Sequence, residues 1–277
     1  MTVNADQRAF WTEKAAPKWI AHQEIFDAAF DPVLDLLFQQ ADLSDGDAVL
    51  DIGCGAGHST LRAAEHVAPH GSVLGADISD ALLNRARERA AKRPDHEIAF
   101  QLGDAQIDSF EGEHFDHLIS RFGVMFFDDS VAAFRNMSKA LKPGARVTLA
   151  CWGEIPENPF FTTPNRIAVA RLGQPPKSDR DAPGPFAFRN IDRVCAILTE
   201  AGLIDVAGEA HQVTLGQAVN IEDLAQTLTV IGPAANALEF FDGSATDAAA
   251  IAKEIAEAFG TKGIPSQINI FRASKPL

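Results

Sequence analysis

Glycine at every second position directly behind a buried-looking acid is the strongest constraint in this sequence: Val49-Leu50-Asp51-Ile52-Gly53-Cys54-Gly55-Ala56-Gly57-His58. The apolar run ahead of Asp51 reads as a buried parallel strand, and residues 59–67 read as a helix of good formers. An abrupt strand-to-helix turn needs residues that tolerate unusual φ and let a ligand approach the main chain, and glycine does both. The helix start then offers N–H groups and the positive end of a dipole to a carboxylate or phosphate. The segment therefore reads as a loop for a nucleotide-type ligand.

Two familiar versions of such a loop fail. The dinucleotide fingerprint G-x-G-x-x-G puts a third glycine where this chain has His58, and that glycine is the one that lets helix and strand pack closely. A P-loop would need Gly-Lys-Ser/Thr, which is absent from the segment. The following strands carry an acid or small polar residue at each tip. Residues 72–79 end in Asp77-Ile78-Ser79, residues 98–105 in Gly103-Asp104-Ala105, and residues 115–122 in Ser120-Arg121-Phe122. Leu141-Lys142-Pro143-Gly144 then reads as a turn into a strand over 147–152. An acid at the second strand tip is placed to accept both hydroxyls of a ribose.

The glycine segment resembles motif I of class I S-adenosylmethionine (SAM) methyltransferases, D/E-x-G-x-G-x-G. Ser120-Arg121-Phe122-Gly123-Val124-Met125-Phe126-Phe127, the Leu141-Lys142-Pro143-Gly144 turn, Cys151-Trp152 with Asn158-Pro159-Phe160, and Pro183-Gly184-Pro185-Phe186 are similar to the ubiquinone/menaquinone-biosynthesis branch of that family. The resemblance spans most of the chain and is weakest over 217–262. It implies a Rossmann-like, doubly wound α/β fold, with a seven-stranded sheet whose last strand is antiparallel. It also implies roles. Asp51 organises the turn, and Gly53, Gly55 and Gly57 admit the methionine portion of SAM. Asp77 takes the ribose hydroxyls, Ile78 packs on adenine, and Gly103, Asp104 and Ala105 meet the adenine edge. Ser120 offers its carbonyl near the methionine amine, and Arg121 orients either the cofactor carboxylate or an anionic substrate, or makes only a rim salt bridge. Relatives often place tyrosine or tryptophan beside the cofactor from the N-terminal segment; this chain has no tyrosine, which leaves Trp19, and after it Trp11. Ala145 stands where a second glycine is common after Pro-Gly.

The implied activity is transfer of a methyl group from SAM to O, C, N or S of a small molecule by in-line displacement. A non-methylating SAM-fold enzyme, such as a cyclase or decarboxylase, and a non-enzymatic SAM-binding protein are the alternatives. No catalytic residue is assigned, because His22 and His58, the histidines nearest the expected site, read equally as packing or surface residues. The acceptor and the oligomeric state stay open.

The organisation read from the pattern is a single domain in four segments. Residues 1–40 form an N-terminal helical lid and packing segment, in which Ile25, Phe26, Phe30, Val33, Leu34, Leu37 and Phe38 recur at helical spacing. Pro17, between Trp11 and Trp19, is expected to mark a hinge or helix start. Residues 41–153 alternate strand and helix as a SAM-binding core. Residues 154–190, rich in proline and phenylalanine, read as a substrate-covering insertion after strand 5. Residues 191–277 complete the sheet, with helices over 191–201, 221–231 and 245–259 and strands over 206–215 and 267–272.

Bulk properties exclude several partners. With 38 acids against 24 bases the net charge is −14, which repels a nucleic-acid backbone or an anionic membrane. A mean hydropathy of −0.04, no membrane-length apolar stretch and no signal-like start point to a cytoplasmic protein. Three cysteines do not make a disulfide framework, and they lie in a glycine loop, a buried strand and an apolar helix, so they read as small hydrophobes rather than soft-metal ligands. The eight histidines show no metal-ligand spacing, and no metal is expected.

Overall fold

The strand tips converge because the first five strands run parallel. The computed structural model describes residues 4–110, 114–176 and 179–277. From the N-terminus, α1 (Ala5–Ala9) continues through a π-helical stretch (Phe10–Ala15) into α2 (Ala16–Ala21) and the long α3 (Gln23–Ala41). The alternating core follows: β1 (Ala48–Ile52), α4 (His58–Val67), β2 (Ser72–Asp77), α5 (Asp80–Ala90), β3 (Glu97–Leu102), β4 (Phe115–Arg121), α6 (Ser130–Ser138) and β5 (Leu141–Trp152). The remainder is α7 (Pro159–Leu172), α8 (Ile191–Glu200), β6 (Ile204–Leu215), α9 (Ile221–Leu228), α10 (Pro233–Phe240), α11 (Ala245–Phe259) and β7 (Ile264–Ser274).

The seven strands form one sheet in the order β3-β2-β1-β4-β5-β7-β6. β7 is antiparallel to both its neighbours, as expected for the last strand. All five residues of β1 are buried, so both faces of the sheet are covered at its centre. Most of the buried hydrophobic residues form one cluster that runs from Phe26 in α3 to Ala273 in β7. Strand order reverses between β1 and β4, and a crevice opens there outside the strand C-termini.

The helical stripe of α3 packs on the sheet through Phe26, Phe30, Val33, Leu34, Leu37 and Phe38, all buried, while Ile25 is only partly buried. Pro17 falls in the first turn of α2, where its missing N–H breaks no α bond. The expected boundary is thus real, but the helical path through it continues, and the wider π turn just before it takes up the mismatch.

Three expectations need correction. The Leu141-Lys142-Pro143-Gly144 turn lies inside β5, whose register against β4 slips between Phe115↔Leu141 and His117↔Arg146. A bulge absorbs it, which suits Pro143 and the positive φ of Gly144. The stretch over 154–190 is no open loop: α7 occupies much of it, with Phe160, Pro164, Ile167 and Ala168 buried. Finally, α10 falls in the segment over 217–262 and had no counterpart in the sequence reading.

Candidate functional site

The loop after β1 works as a hub of short bonds. Gly53 and Cys54 donate their N–H groups to Ala76 O of β2 (2.8 and 3.1 Å), and Gly55 donates to Asp77 Oδ2 (2.8 Å). Asp77 also accepts from Ser79 N at 2.9 Å. Burial pushes its carboxyl upward, and these backbone donors pull the other way. The tips of β1 and β2 are therefore locked together before any ligand arrives.

The three glycines divide their labour. A Cβ on Gly55 would meet nothing within 4 Å, so this residue leaves the loop open toward a ligand. One on Gly53 would sit 2.5 Å from Gly123 Cα, and one on Gly57 would sit 2.9 Å from Ala86 Cβ of α5. Gly53 thus permits β1 and β4 tips to cross, and Gly57, at φ 83°, caps α4 while letting α5 close in.

A cleft with about 1150 Å³ of empty space, its open mouth included, lies over these tips. Gly53, Gly55, Asp77, Ile78, Gly103 and Asp104 line it, together with Ala105, Arg121 and Trp19. Those nine of the twelve residues singled out from sequence share one crevice. The other three do not line it. Gly57 is spent on helix packing. Ser120 is fully buried, donating its hydroxyl to Ile52 O (2.7 Å) and accepting from Gly123 N (3.2 Å), so its side chain staples β4 to β1. Asp51 lies beneath the loop, where one carboxylate oxygen accepts from Ser59 Oγ (2.7 Å) and Thr60 Oγ1 (2.6 Å). Its other oxygen is buried with no partner among the described residues. Burial, first among the causes, raises this carboxyl from 3.8 to about 6. The turn-organising role is thus direct: Asp51 ties the strand end to the first turn of α4.

Asp104 is buried, and its position holds a finding the sequence did not foretell. Asn4 Nδ2 donates to both of its carboxylate oxygens at 2.9 Å, while Asn4 also exchanges two 2.9 Å bonds with Asp128. The N-terminal strap is thus pinned across the β3 tip by an amide that occupies both oxygens of Asp104.

Aromatic walls close the opposite end. Trp11 lies 6.1 Å from Trp19 and 5.2 Å from Phe126, and Trp19 lies 4.5 Å from Phe26, so both tryptophans face one side despite Pro17. Phe122 adopts a left-handed φ of 64°, an uncommon conformation for a bulky residue. Its ring stacks on Trp152 at 4.4 Å, which helps hold it there. From α3, Asp27 pairs with Arg89 (2.8 Å) and lies 3.2 Å from His58 Nδ1, anchoring the helix to the glycine loop. No described residue within 154–190 lines the cleft; the described part of the cover comes from the N-terminal helices.

The missed residues have a common cause. Gln23, Asp27 and Phe30 of α3, and Asn4 ahead of α1, approach the strand tips by tertiary packing. Gly123, two residues after the end of β4, carried a local signal: a glycine beside an apolar strand often marks close backbone approach.

Residues 49–144 match the Methyltransferase domain family. A nocamycin O-methyltransferase from Saccharothrix syringae is 28% identical over 77% of this chain and 75% of its own length. A demethylmenaquinone methyltransferase from Symbiobacterium thermophilum is 35% identical over 39% of this chain and 43% of its own. For several other curated relatives the chain spans between 23% and 46% of their length. Among solved structures, Haemonchus contortus phosphoethanolamine N-methyltransferase 2, in complex with phosphomonomethylethanolamine and S-adenosylhomocysteine, superposes with a TM-score of 0.62 at 20% identity. That superposition covers 98% of this chain and 59% of the other. The family match begins in β1 and ends within β5, so the parallel core carries it.

Proposed function

We propose that this chain binds SAM in the cleft above β1–β4 and transfers its methyl group to a small-molecule acceptor by in-line displacement. The observation that carries the reading is that Gly55, Asp77 and Asp104, from three successive strand tips, line a single open crevice. When bound, SAM supplies a methyl already activated by its sulfonium. The chain's own task is therefore positioning and exclusion of water, and such positioning is worth about 7–11 kcal/mol of barrier.

Each wall has a part in that task. Asp77, already holding Gly55 and Ser79, keeps lone pairs for the ribose hydroxyls, and Ile78 and Leu82 offer apolar surface to the adenine. Asp104 and Ala105 read the adenine edge, and this requires Asn4 to share or release the carboxylate it holds. The buried partnerless oxygen of Asp51, beneath the loop, suits the methionine ammonium through a bridging water. Trp11, Trp19 and Phe126 form an apolar lid that keeps bulk water from the reacting end.

The net charge of −14 and the aromatic walls favour a small organic acceptor over a nucleic acid or an anionic membrane. No helix among the described residues is long and apolar enough to cross a membrane. We assign the chain to the cytoplasm on its three free cysteines, of which Cys54 and Cys151 are buried. Calorimetry with SAM and S-adenosylhomocysteine tests the binding step, and absence of binding would end the reading. Incubation with methyl-labelled SAM and a metabolite extract, read by mass, tests transfer. S-adenosylhomocysteine must accumulate in step with the labelled product, which a non-methylating reaction would not produce.

A further inference from the structure

Arg121 is the charged group of the cleft that none of the roles above uses. It ends β4, two residues beyond Ile119, which pairs with Asp51 of β1. Its Nη1 is buried without a hydrogen-bond partner, and no carboxylate lies within ion-pair distance among the described residues. Burial pulls its pKa below the ordinary arginine value, although Asp27, Asp51 and Asp31 are near enough to oppose that. Asp27 and Asp31 are committed elsewhere, and Asp51, engaged through one oxygen only, makes no ion pair with the guanidinium. Asp27 serves Gln23, Arg89 and His58; Asp31 pairs with Arg62; Asp51 holds Ser59 and Thr60. The close neighbour left to the guanidinium is the Phe30 ring, 5.9 Å from Cζ. A desolvated cation left in this condition is costly, and an anion from outside the chain would relieve it.

Two further observations say what kind of anion fits. The cleft that Arg121 lines has aromatic walls: Phe30 under the guanidinium, and Phe122, Phe126, Trp11 and Trp19. The carboxylates lining the cleft are already engaged, and its histidine lies against two further carboxylates. Asp77 receives two backbone N–H groups, Asp104 is held by Asn4 and Gln106, and His58 sits between Asp27 and Asp31. An acceptor that arrives ionised needs no base, because general-base catalysis serves only a protonated nucleophile.

Resting on the methyl-transfer reading, we propose that Arg121 is the receptor for an anionic oxygen on a planar, conjugated acceptor: a carboxylate, phenolate or enolate. That oxygen donates an electron pair to the methyl carbon, the carbon–sulfur bond breaks with its pair passing to sulfur, and no proton is released. The ion pair lowers the acceptor's own pKa and orients it with a fork of N–H donors. The strand order favours this source of the anion. The adenosine-binding acids lie on β2 and β3, on one side of the glycine loop, and Arg121 lies on β4, on the other.

The test uses the intact protein loaded with S-adenosylhomocysteine, titrated calorimetrically with 1-naphthoate and with its neutral counterpart 1-naphthamide. Wild type should bind the naphthoate at least about tenfold more tightly. Arg121→Gln should abolish that preference while leaving the S-adenosylhomocysteine affinity within about twofold, and Arg121→Lys should retain part of it. Equal binding of both probes by wild type, or a preference that survives in Arg121→Gln, overturns the proposal. So does an Arg121→Gln variant that loses S-adenosylhomocysteine while binding decarboxylated SAM as wild type does, since the arginine then serves the cofactor's carboxylate. Should Arg121→Gln fail to fold, the Lys variant and the wild-type probe pair decide. Should wild type bind no S-adenosylhomocysteine, the methyl-transfer reading fails by itself, and the naphthoate preference measured without it still decides the role of Arg121.

Discussion

Replacing Asp51 with Asn isolates what it costs to keep a carboxylate under the glycine loop. Burial raises this group from 3.8 to about 6 against the pull of Thr60 and Ser59. Below about pH 4 it is protonated in both folded and unfolded chains, and its contribution is neutral. Between about pH 4 and 6 the unfolded chain gives up the proton first, so the folded state loses stability as pH rises. The displacement corresponds to about 3 kcal/mol, complete above about pH 6 to 7. Acids whose pKa values are lowered act in the opposite sense: Asp247, held at about 2, and Asp27 and Asp116 add stability that is lost as pH falls. Wild type and variant share those groups, so the difference in urea-unfolding free energy between them cancels most of the background. That difference should shift by about 3 kcal/mol in favour of Asp51→Asn between pH 4 and 7. Parallel pH profiles would refute the claim that Asp51 is ionised at the expense of folding.

Three further outcomes follow from the site. Asp77→Ala should weaken SAM binding by about 1.5–3 kcal/mol, the scale of a hydrogen bond to a charged group, and unchanged affinity by calorimetry would remove its ribose role. Gly57→Ala should cost about 1–3 kcal/mol in thermal unfolding, since its Cβ meets Ala86 at 2.9 Å on a left-handed backbone. Adding Ala86→Gly should recover part of that loss, and strictly additive losses would show that the two sites do not touch. Asn4→Ala removes the donor that holds Asp104 and should tighten SAM binding by up to about tenfold. Weaker binding would mean that the strap adds contacts to the ligand and does not compete with it.

The β/α core was legible because its signals are local. Asp51, Asp77 and Asp104 each close an apolar run, and a parallel sheet brings the ends of such runs to one edge whatever the connecting helices do. The last strand and α11 were legible for the same reason, their periodicity being strong. The boundaries that moved, such as the Pro143-Gly144 turn absorbed into β5, were decided by pairing with a neighbouring strand, which no local window contains. The side-chain partners of Ser120 and the close approach of Gly57 to Ala86 were likewise set by neighbours distant in the chain.

Sequence by itself thus determined the cradle: which strands form, which acids crown them, and why glycine must follow the first. Tertiary structure alone decided who covers that cradle and what remains unsatisfied inside it. Asn4 reaches Asp104 across a hundred residues of chain, α3 brings Phe30 beneath Arg121, and no described residue of 154–190 lines the cleft. Side-chain burial and hydrogen-bond saturation are properties of the assembled surroundings, so an arginine left without a partner becomes visible only when every neighbour has found its own.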